Sequence, residues 1–208
     1  MLIDHLSIIG VGLIGGSLAR ALRKAKLVGR ITACNRSEAT LKKAIKLGVI
    51  DDYSLNISEA VKGADVIIIG TPLSVSEKIL PEIADSISAN AVLTDVGSVK
   101  GGIVSKARET LAEKISNFVP GHPIAGTEKN GVEASIEDLF VGHRVILTPL
   151  KETSLKAHKL ITIMWESVGA EVVDLDVKHH DEVLAATSHL PHMLASVSYT
   201  HLTLPTKA

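Results

Sequence analysis

GVGLIGGSLARAL, residues 10 to 22, is a glycine-rich run between a short apolar stretch and a helical pattern. The apolar stretch at 5–9 predicts a strand, and the residues after the glycines repeat at helical spacing. Gly10, Gly12 and Gly15 fit G-x-G-x-x-G, where the glycines permit a tight turn, a close pyrophosphate and close helix packing, respectively. The run predicts a strand, turn and helix that bind a dinucleotide, although such a turn can also serve packing alone.

Apolar runs alternate with helical patterns along the rest of the chain. This order predicts an α/β fold with a doubly wound, mostly parallel Rossmann-type sheet and helices on both faces. The run at 64–70 is nearly all apolar, which is typical of a central strand covered on both sides. Strands are predicted at 6–10, 30–35, 64–70, 91–96, 117–120, 143–148 and 170–174, and helices at 13–27, 37–47, 74–87, 100–114 and 153–168.

The pattern changes after residue 175. Helical spacing without a further strand predicts the start of an all-helical second domain. We therefore expect a dinucleotide-binding domain at 1–175 and, at 176–197, the first helix of a helical domain for substrate and dimerisation. The tail at 198–208 alternates Thr and Leu and contains Pro205, so we interpret it as non-native sequence.

Composition excludes several classes of partner. The 208 residues are 46% hydrophobic with a net charge of −1, so the chain has a large core and no basic field for nucleic acid or an anionic membrane. No apolar run approaches the roughly 20 residues that span a bilayer. Cys34 is the single cysteine and is predicted to be buried in a reducing compartment. The expected location is the cytoplasm.

The ends of two predicted strands suggest how a cofactor is bound. After the second strand no acidic residue stands ready for the ribose hydroxyls, and Arg36 with Ser37 could receive a 2′-phosphate, which favours NADP within a general NAD(P) prediction. Arg36 could instead be an exposed residue that opens the next helix. The turn at 70–72 is predicted to form a wall beside the nicotinamide. The candidate cofactor site is Gly10, Gly12, Leu13, Ile14, Gly15, Asn35, Arg36, Ser37, Thr71 and Pro72.

Two later turns carry candidate catalytic groups. Ser98 lies in DVGSVK, residues 95–100, and offers a hydroxyl, although serine there could simply cap a helix. His122 lies in VPGHPIAGTE, residues 119–128, between two prolines and two glycines. An imidazole titrates near neutrality, so a histidine fixed at a strand end can act as a base toward a hydroxyl.

Four histidines fall in the predicted last helix. His189 and His192 are three residues apart and share a face that could close a substrate pocket. They could also be plain surface histidines, and no metal site is expected because no third ligand stands at a suitable spacing. His179 and His180 are expected at a solvated helix end.

The order of these motifs resembles one enzyme family. GVGLIGGS, TP after a strand, DVGSVK, GHPIAGTEKNGVE and HDEVLAATSHLPH resemble prephenate dehydrogenases, with arogenate and cyclohexadienyl dehydrogenases as relatives, over residues 5 to 197. The resemblance implies oxidative decarboxylation of prephenate to 4-hydroxyphenylpyruvate, in tyrosine biosynthesis, with hydride transfer to the nicotinamide. Arogenate is an alternative substrate.

The resemblance also implies a role for each candidate. His122 would accept a hydrogen bond or a proton from the ring hydroxyl, and Ser98 would orient that hydroxyl. Thr127 and Glu128 would border the substrate pocket, while His189 and His192 would hold the substrate from the helical side.

The chain departs from the family pattern after residue 197. Family members continue with helices that form a homodimer and supply an arginine for a substrate carboxylate, and this sequence carries no such segment. We therefore expect most of the dimer interface to be missing and turnover to be weak. Other interpretations are an NADP-dependent dehydrogenase of small β-hydroxy acids and a fragment that binds dinucleotide without turnover.

Overall fold

Residues 1–186, which the computed structural model describes, form a six-stranded parallel sheet and a separate three-stranded sheet. The large sheet contains β1 (Ile3–Ile9), β2 (Val28–Cys34), β3 (Asp52–Ser54), β4 (Val66–Ile69), β5 (Val92–Asp95) and β6 (Phe118–Val119) in the order β3-β2-β1-β4-β5-β6. All of its strand pairs are parallel. The order runs in opposite directions from β1 and β4, which confirms the doubly wound prediction.

Helices cover both faces of this sheet. They are α1 (Leu13–Lys24), α2 (Glu38–Lys46), α3 (Ile57–Val61), α4 (Leu73–Ser86), α5 (Gly101–Thr110), α6 (Leu155–Glu166) and α7 (Val177–Leu184). Core residues of α1, α2 and α6 cluster on one face, and those of α3, α4 and α5 on the other. Strand β4 serves both cores, because Val66 and Ile68 belong to the first cluster and Ile67 and Ile69 to the second. The prediction of a central strand at 64–70 is therefore confirmed.

The second sheet was not expected as a separate unit. It contains β7 (Gly121–Pro123), β8 (Arg144–Leu147) and β9 (Glu171–Asp174), with β7 antiparallel and β9 parallel to β8. The runs at 143–148 and 170–174 are strands, as predicted, but they leave the main sheet. The short elements β3, α3 and β7 were missed, since three to five residues are too few to establish a period.

The predicted change of character after residue 175 coincides with the start of α7. Asp176 caps this helix, and its carboxylate accepts hydrogen bonds from the backbone N–H groups of Lys178 and His179. The predicted helix from 177 to 197 is thus observed at its beginning, and its remainder from 187 lies outside the described residues. Within residues 1–186, no helix is long and apolar enough to cross a membrane.

The glycine turn brings β1, α1 and β4 unusually close together. Gly10 has a φ of +92°, and a Cβ there would lie 2.8 Å from the carbonyl carbon of Gly70. A Cβ on Gly15 would lie 2.9 Å from Cγ2 of Ile8. Both positions need glycine, because backbone or a core side chain already occupies the space that a side chain would take.

Gly10→Ala should therefore destabilise the fold by about 1–3 kcal/mol more than Gly63→Ala, because of overpacking. Gly63 also has a positive φ of +71°, but a Cβ there would meet nothing within 4 Å, so it reports the backbone strain alone. The free energies of unfolding of both variants would be measured with urea. Equal losses would show that the approach of β1 to β4 imposes no steric limit at residue 10.

Candidate functional site

A cleft of about 270 Å³ opens where the strand order reverses, beyond the carboxyl ends of β1, β2 and β4. Ligands in open α/β sheets bind at this position. The predicted cofactor residues that line it are Gly10, Gly12, Asn35, Arg36, Thr71 and Pro72. The other four lie beside it: Leu13 and Ile14 pack against the core, Gly15 is buried in α1, and Ser37 caps α2.

Two helices that begin at this cleft, α1 and α4, have no side-chain cap. Among the seven α-helices of residues 1–186, four are capped by their own N-cap side chain, from Ser37, Asn56, Ser154 and Asp176. The start of α5 is capped by Asp181, as described below. Helix α1 begins after Gly12 and α4 after Pro72, and neither has a side-chain cap. Their first N–H groups and dipoles suit an anion bound in the cleft.

The end of β2 carries the one cationic side chain among the residues that line the cleft. Asn35 Oδ1 accepts a hydrogen bond from the backbone N–H of Arg36 at 2.8 Å. Arg36 is exposed, and no lining residue is acidic. Ser37 Oγ accepts from the backbone N–H of Thr40 at 3.3 Å. The Arg36 side chain can therefore attract a phosphate group to the end of the cleft that lies beside β2.

A buried ion pair joins the turn after β5 to strand β7. The Lys100 ammonium donates to the Asp95 carboxylate and, at 2.7 Å, to the carbonyl of Gly121. Asp95 also accepts from the backbone N–H groups of Gly97 at 2.9 Å and Gly121 at 3.3 Å. Burial lowers the pKa of Lys100, whose side chain is 0% exposed, and the carboxylate of Asp95 opposes that shift. The network holds Ser98 and His122 on adjoining segments.

Ser98 lies exposed in the turn between β5 and α5. The structure excludes its alternative role as a helix cap, because the N-cap position of α5 is Lys100. Asp181 of α7 caps α5 instead, and its two carboxylate oxygens accept from the backbone N–H groups of Lys100 at 2.9 Å and Gly101 at 2.8 Å. Ser98 therefore has no part in starting the helix.

His122 lies on β7, partly buried, and its ring contacts a second histidine. Nδ1 of His122 and Nε2 of His180 are hydrogen-bonded at 3.0 Å, and Nδ1 of His180 is 2.7 Å from the Asp181 carboxylate. His180 is 0% exposed, so the expectation of a solvated end was wrong for this residue, whereas His179 is exposed. His180, in the first turn of α7, packs against α5 and β7.

The Asp181 carboxylate is held in its ionised form. Burial raises its pKa, but hydrogen bonds from the backbone N–H groups of Lys100 and Gly101 and from His180 outweigh this effect, and the pKa lies below the usual value. The carboxylate is therefore an acceptor for all three groups at neutral pH.

Of the four predicted substrate residues, the structure describes two, Thr127 and Glu128. Thr127 and Glu128 are exposed on the segment after β7, where the Thr127 hydroxyl accepts from the backbone N–H of Lys129 at 3.2 Å. His189 and His192 lie outside the described residues.

Sequence reasoning missed four members of the site: Asp95, Lys100, His180 and Asp181. Lys100 and Asp95 stand in the DVGSVK motif, where an apolar setting around two opposite charges could have indicated a buried pair. His180 and Asp181 begin the HDEV motif and contact each other, but their other partners, His122 and the start of α5, are distant in the sequence. Only the packing of α7 on α5 reveals their contacts.

Residues 18–174 match the family model described as the nucleotide-binding domain of prephenate dehydrogenase. The chain belongs to the prephenate dehydrogenase family. It is 36% identical over 191 residues to a cyclohexadienyl dehydrogenase of Zymomonas mobilis, covering 92% of this chain and 64% of that protein. It is 38% identical over 201 residues to a prephenate dehydrogenase of Bacillus subtilis, covering 95% of this chain and 54% of that one.

The fold agrees with this family as well. A crystal structure of prephenate dehydrogenase from Aquifex aeolicus, in complex with hydroxyphenyl propionate and NAD+, superimposes with a TM-score of 0.89 at 36% identity. The match covers 97% of this chain and 71% of that one. The chain thus spans about half to two thirds of the length of the two curated relatives named above.

Lys100→Met should lower the free energy of unfolding by about 3–5 kcal/mol, because Asp95 would keep a buried charge without its partner. Lys106→Met on the same helix is the matched control, since it removes an exposed pair with Glu109 and should have little effect. Urea unfolding measures both.

The double variant Asp95→Asn/Lys100→Met separates loss of charge balance from loss of packing. Stability should partly return in it, because neither charge remains buried. A double variant as unstable as Lys100→Met would contradict the interpretation of the pair as an electrostatic link.

Proposed function

We propose that this chain carries the dinucleotide site and catalytic histidine of an enzyme that converts prephenate to 4-hydroxyphenylpyruvate in tyrosine biosynthesis. One observation carries the proposal: buried hydrogen bonds join the Ser98 turn and the His122 strand at the same sheet edge as the glycine-lined cleft. Membership of the prephenate dehydrogenase family supports the reaction class.

The cleft suits a nicotinamide dinucleotide. A Cβ on Gly12 would meet nothing within 4 Å, so the start of α1 is open to a pyrophosphate, and the uncapped start of α4 borders the same cleft. Arg36 would pair with a 2′-phosphate, which favours NADP over NAD. When bound, the nicotinamide supplies the acceptor for the hydride that the substrate loses.

The residues of the chain handle the proton and the orientation of the substrate. His122 accepts a hydrogen bond or the proton from the ring hydroxyl as hydride and CO2 leave and the ring becomes aromatic. A proton taken in this step returns from His122 to the ring oxygen, so that the product is the neutral phenol. Ser98 orients that hydroxyl from the neighbouring turn. General-base help of this kind contributes about 10²–10⁴ in rate.

The other proposed roles concern substrate binding and the domains of the chain. Thr127 and Glu128 border the substrate pocket from the segment after β7, and His189 and His192 hold the substrate from the helical side. Residues 1–175 form the dinucleotide-binding domain, and 176–197 begin a helical domain for substrate and homodimer formation.

His122→Asn should lower kcat on the accepted substrate by about 10²–10⁴, with the dissociation constant for the dinucleotide unchanged. Steady-state assays with prephenate and with arogenate, each with NAD and NADP, identify the substrate first. The matched control is His143→Asn, which changes an exposed histidine immediately before β8.

Two results would count against the proposal. Equal losses of kcat and dinucleotide affinity in His122→Asn would make His122 structural. Tight dinucleotide binding with no turnover of prephenate or arogenate would favour a binding module without chemistry.

Arg36→Ala should weaken NADP binding by roughly 10- to 100-fold and leave NAD binding unchanged, because a charge-assisted bond to the 2′-phosphate would be lost. Calorimetric titration with each dinucleotide measures the change. Arg30→Ala is the control, since Arg30 is exposed on β2 and pairs with Asp52 away from the cleft. A preference for NADP that survives Arg36→Ala unchanged would remove this residue from cofactor selection.

A further inference from the structure

We propose that His180 and Asp181 are positioning residues that keep the proton of His122 on Nδ1 and its lone pair on Nε2. The inference concerns the tautomer of one imidazole, and its meaning for catalysis rests on the proposed function. It extends the site to a histidine and a carboxylate of α7 that do not themselves need to touch substrate or cofactor.

The three side chains form a continuous row of hydrogen bonds. His122 Nδ1 lies 3.0 Å from His180 Nε2, and His180 Nδ1 lies 2.7 Å from the Asp181 carboxylate. The two rings meet edge to face, with centroids 5.2 Å apart. Nδ1 of His122 and both ring nitrogens of His180 are therefore hydrogen-bonded.

The direction of the row follows from its carboxylate end. An ionised carboxylate can only accept, so Nδ1 of His180 must carry a hydrogen and donate it to Asp181. In neutral His180 the other nitrogen, Nε2, then has a lone pair and must accept from His122. Nδ1 of His122 is consequently the donor, and in neutral His122 the second ring nitrogen, Nε2, then carries a lone pair that can accept a hydrogen bond.

The row takes this direction when the His180 ring is neutral. The ring is completely buried, and the Asp181 carboxylate beside it already accepts two backbone N–H groups at the start of α5. The nearby ammonium of Lys100 is paired with Asp95. His122 and Asp181 are the titratable side chains that hydrogen-bond to the His180 ring within residues 1–186.

The same row links the base to the turn that carries Ser98. Asp181 fixes the backbone of Lys100 and Gly101, and Lys100 in turn fixes Gly121, the residue before His122. Asp181 therefore contacts both the row that ends at His122 and the backbone at the start of α5.

Long-range ¹H–¹⁵N spectra of the full 208-residue chain test the inference directly, because they distinguish the two neutral tautomers of each histidine. Among its nine histidines, His122 and His180 should both carry the proton on Nδ1 above their titration range. A spectrum with the proton of His122 on Nε2, or with His180 doubly protonated beside a neutral His122, would overturn the inference. This test needs neither a variant nor a substrate.

His180→Phe tests the cause, since phenylalanine fills the buried site with a ring that cannot accept a hydrogen bond. The Nε2-protonated form of His122 should then become detectable, while the matched control His179→Phe, at an exposed neighbouring position, should leave the His122 signals unchanged. An unchanged tautomer of His122 in His180→Phe would overturn the role of His180. If this variant does not fold, the spectrum of the unaltered chain still decides the tautomer.

Kinetics separate failure of this inference from failure of the proposed function. On an accepted substrate, His180→Phe and Asp181→Ala should lower kcat about tenfold or more, with the dissociation constant for the dinucleotide unchanged. An altered tautomer with full kcat would overturn the positioning role. Absence of any turnover in the unaltered chain would count against the proposed function, and the spectra would still decide the tautomer.

Discussion

Asp95 and Lys100 form an ion pair that is almost fully removed from solvent. Each side chain of the pair also hydrogen-bonds to backbone groups. Lys100 binds the carbonyl of Gly121, while Asp95 accepts the N–H groups of Gly97 and Gly121. A buried charge that loses its partner is costly, so this contact fixes the relative position of β5, α5 and β7. The Ser98 turn and the His122 strand come from elements of different sheets, and this pair is what makes them neighbours.

The part of the candidate site around the cleft is built mainly from backbone, and the part around His122 from side chains. Around the cleft, glycine turns and uncapped helix starts leave N–H groups available. In the other part, α5 is capped by Asp181 of α7, a helix that is distant in sequence. The same carboxylate also binds His180. This capping carboxylate couples the beginning of the helical segment to the nucleotide-binding fold, so the position of α7 and the orientation of His122 depend on one contact.

Local signals predicted most of the fold, and they failed where the decisive contact is distant in sequence. The glycine spacing, the apolar run at 64–70 and the predicted burial of Cys34 all correspond to what the structure contains. The three-stranded sheet was missed because β7 is only three residues long and ends in proline. His180 was assigned to solvent because its partner His122 is 58 residues away in the sequence, and the α5 contacts of its neighbour Asp181 are 80 and 81 residues away. Hydrophobic periodicity cannot report such pairs, since it describes each helix alone.

One bound dinucleotide should change the amide signals of both the cleft and the segments that carry Ser98 and His122. Backbone NMR with added dinucleotide measures this most directly. NADP should shift the amide signals of Gly12 and Thr71 and also those of Ser98 and His122, because the nicotinamide end has to reach the second pair. ADP-ribose, which lacks the nicotinamide ring, should shift the first pair alone. If NADP and ADP-ribose produce the same shifts, confined to the cleft, then His122 and Ser98 do not share a site with the cofactor and the dehydrogenase interpretation is contradicted.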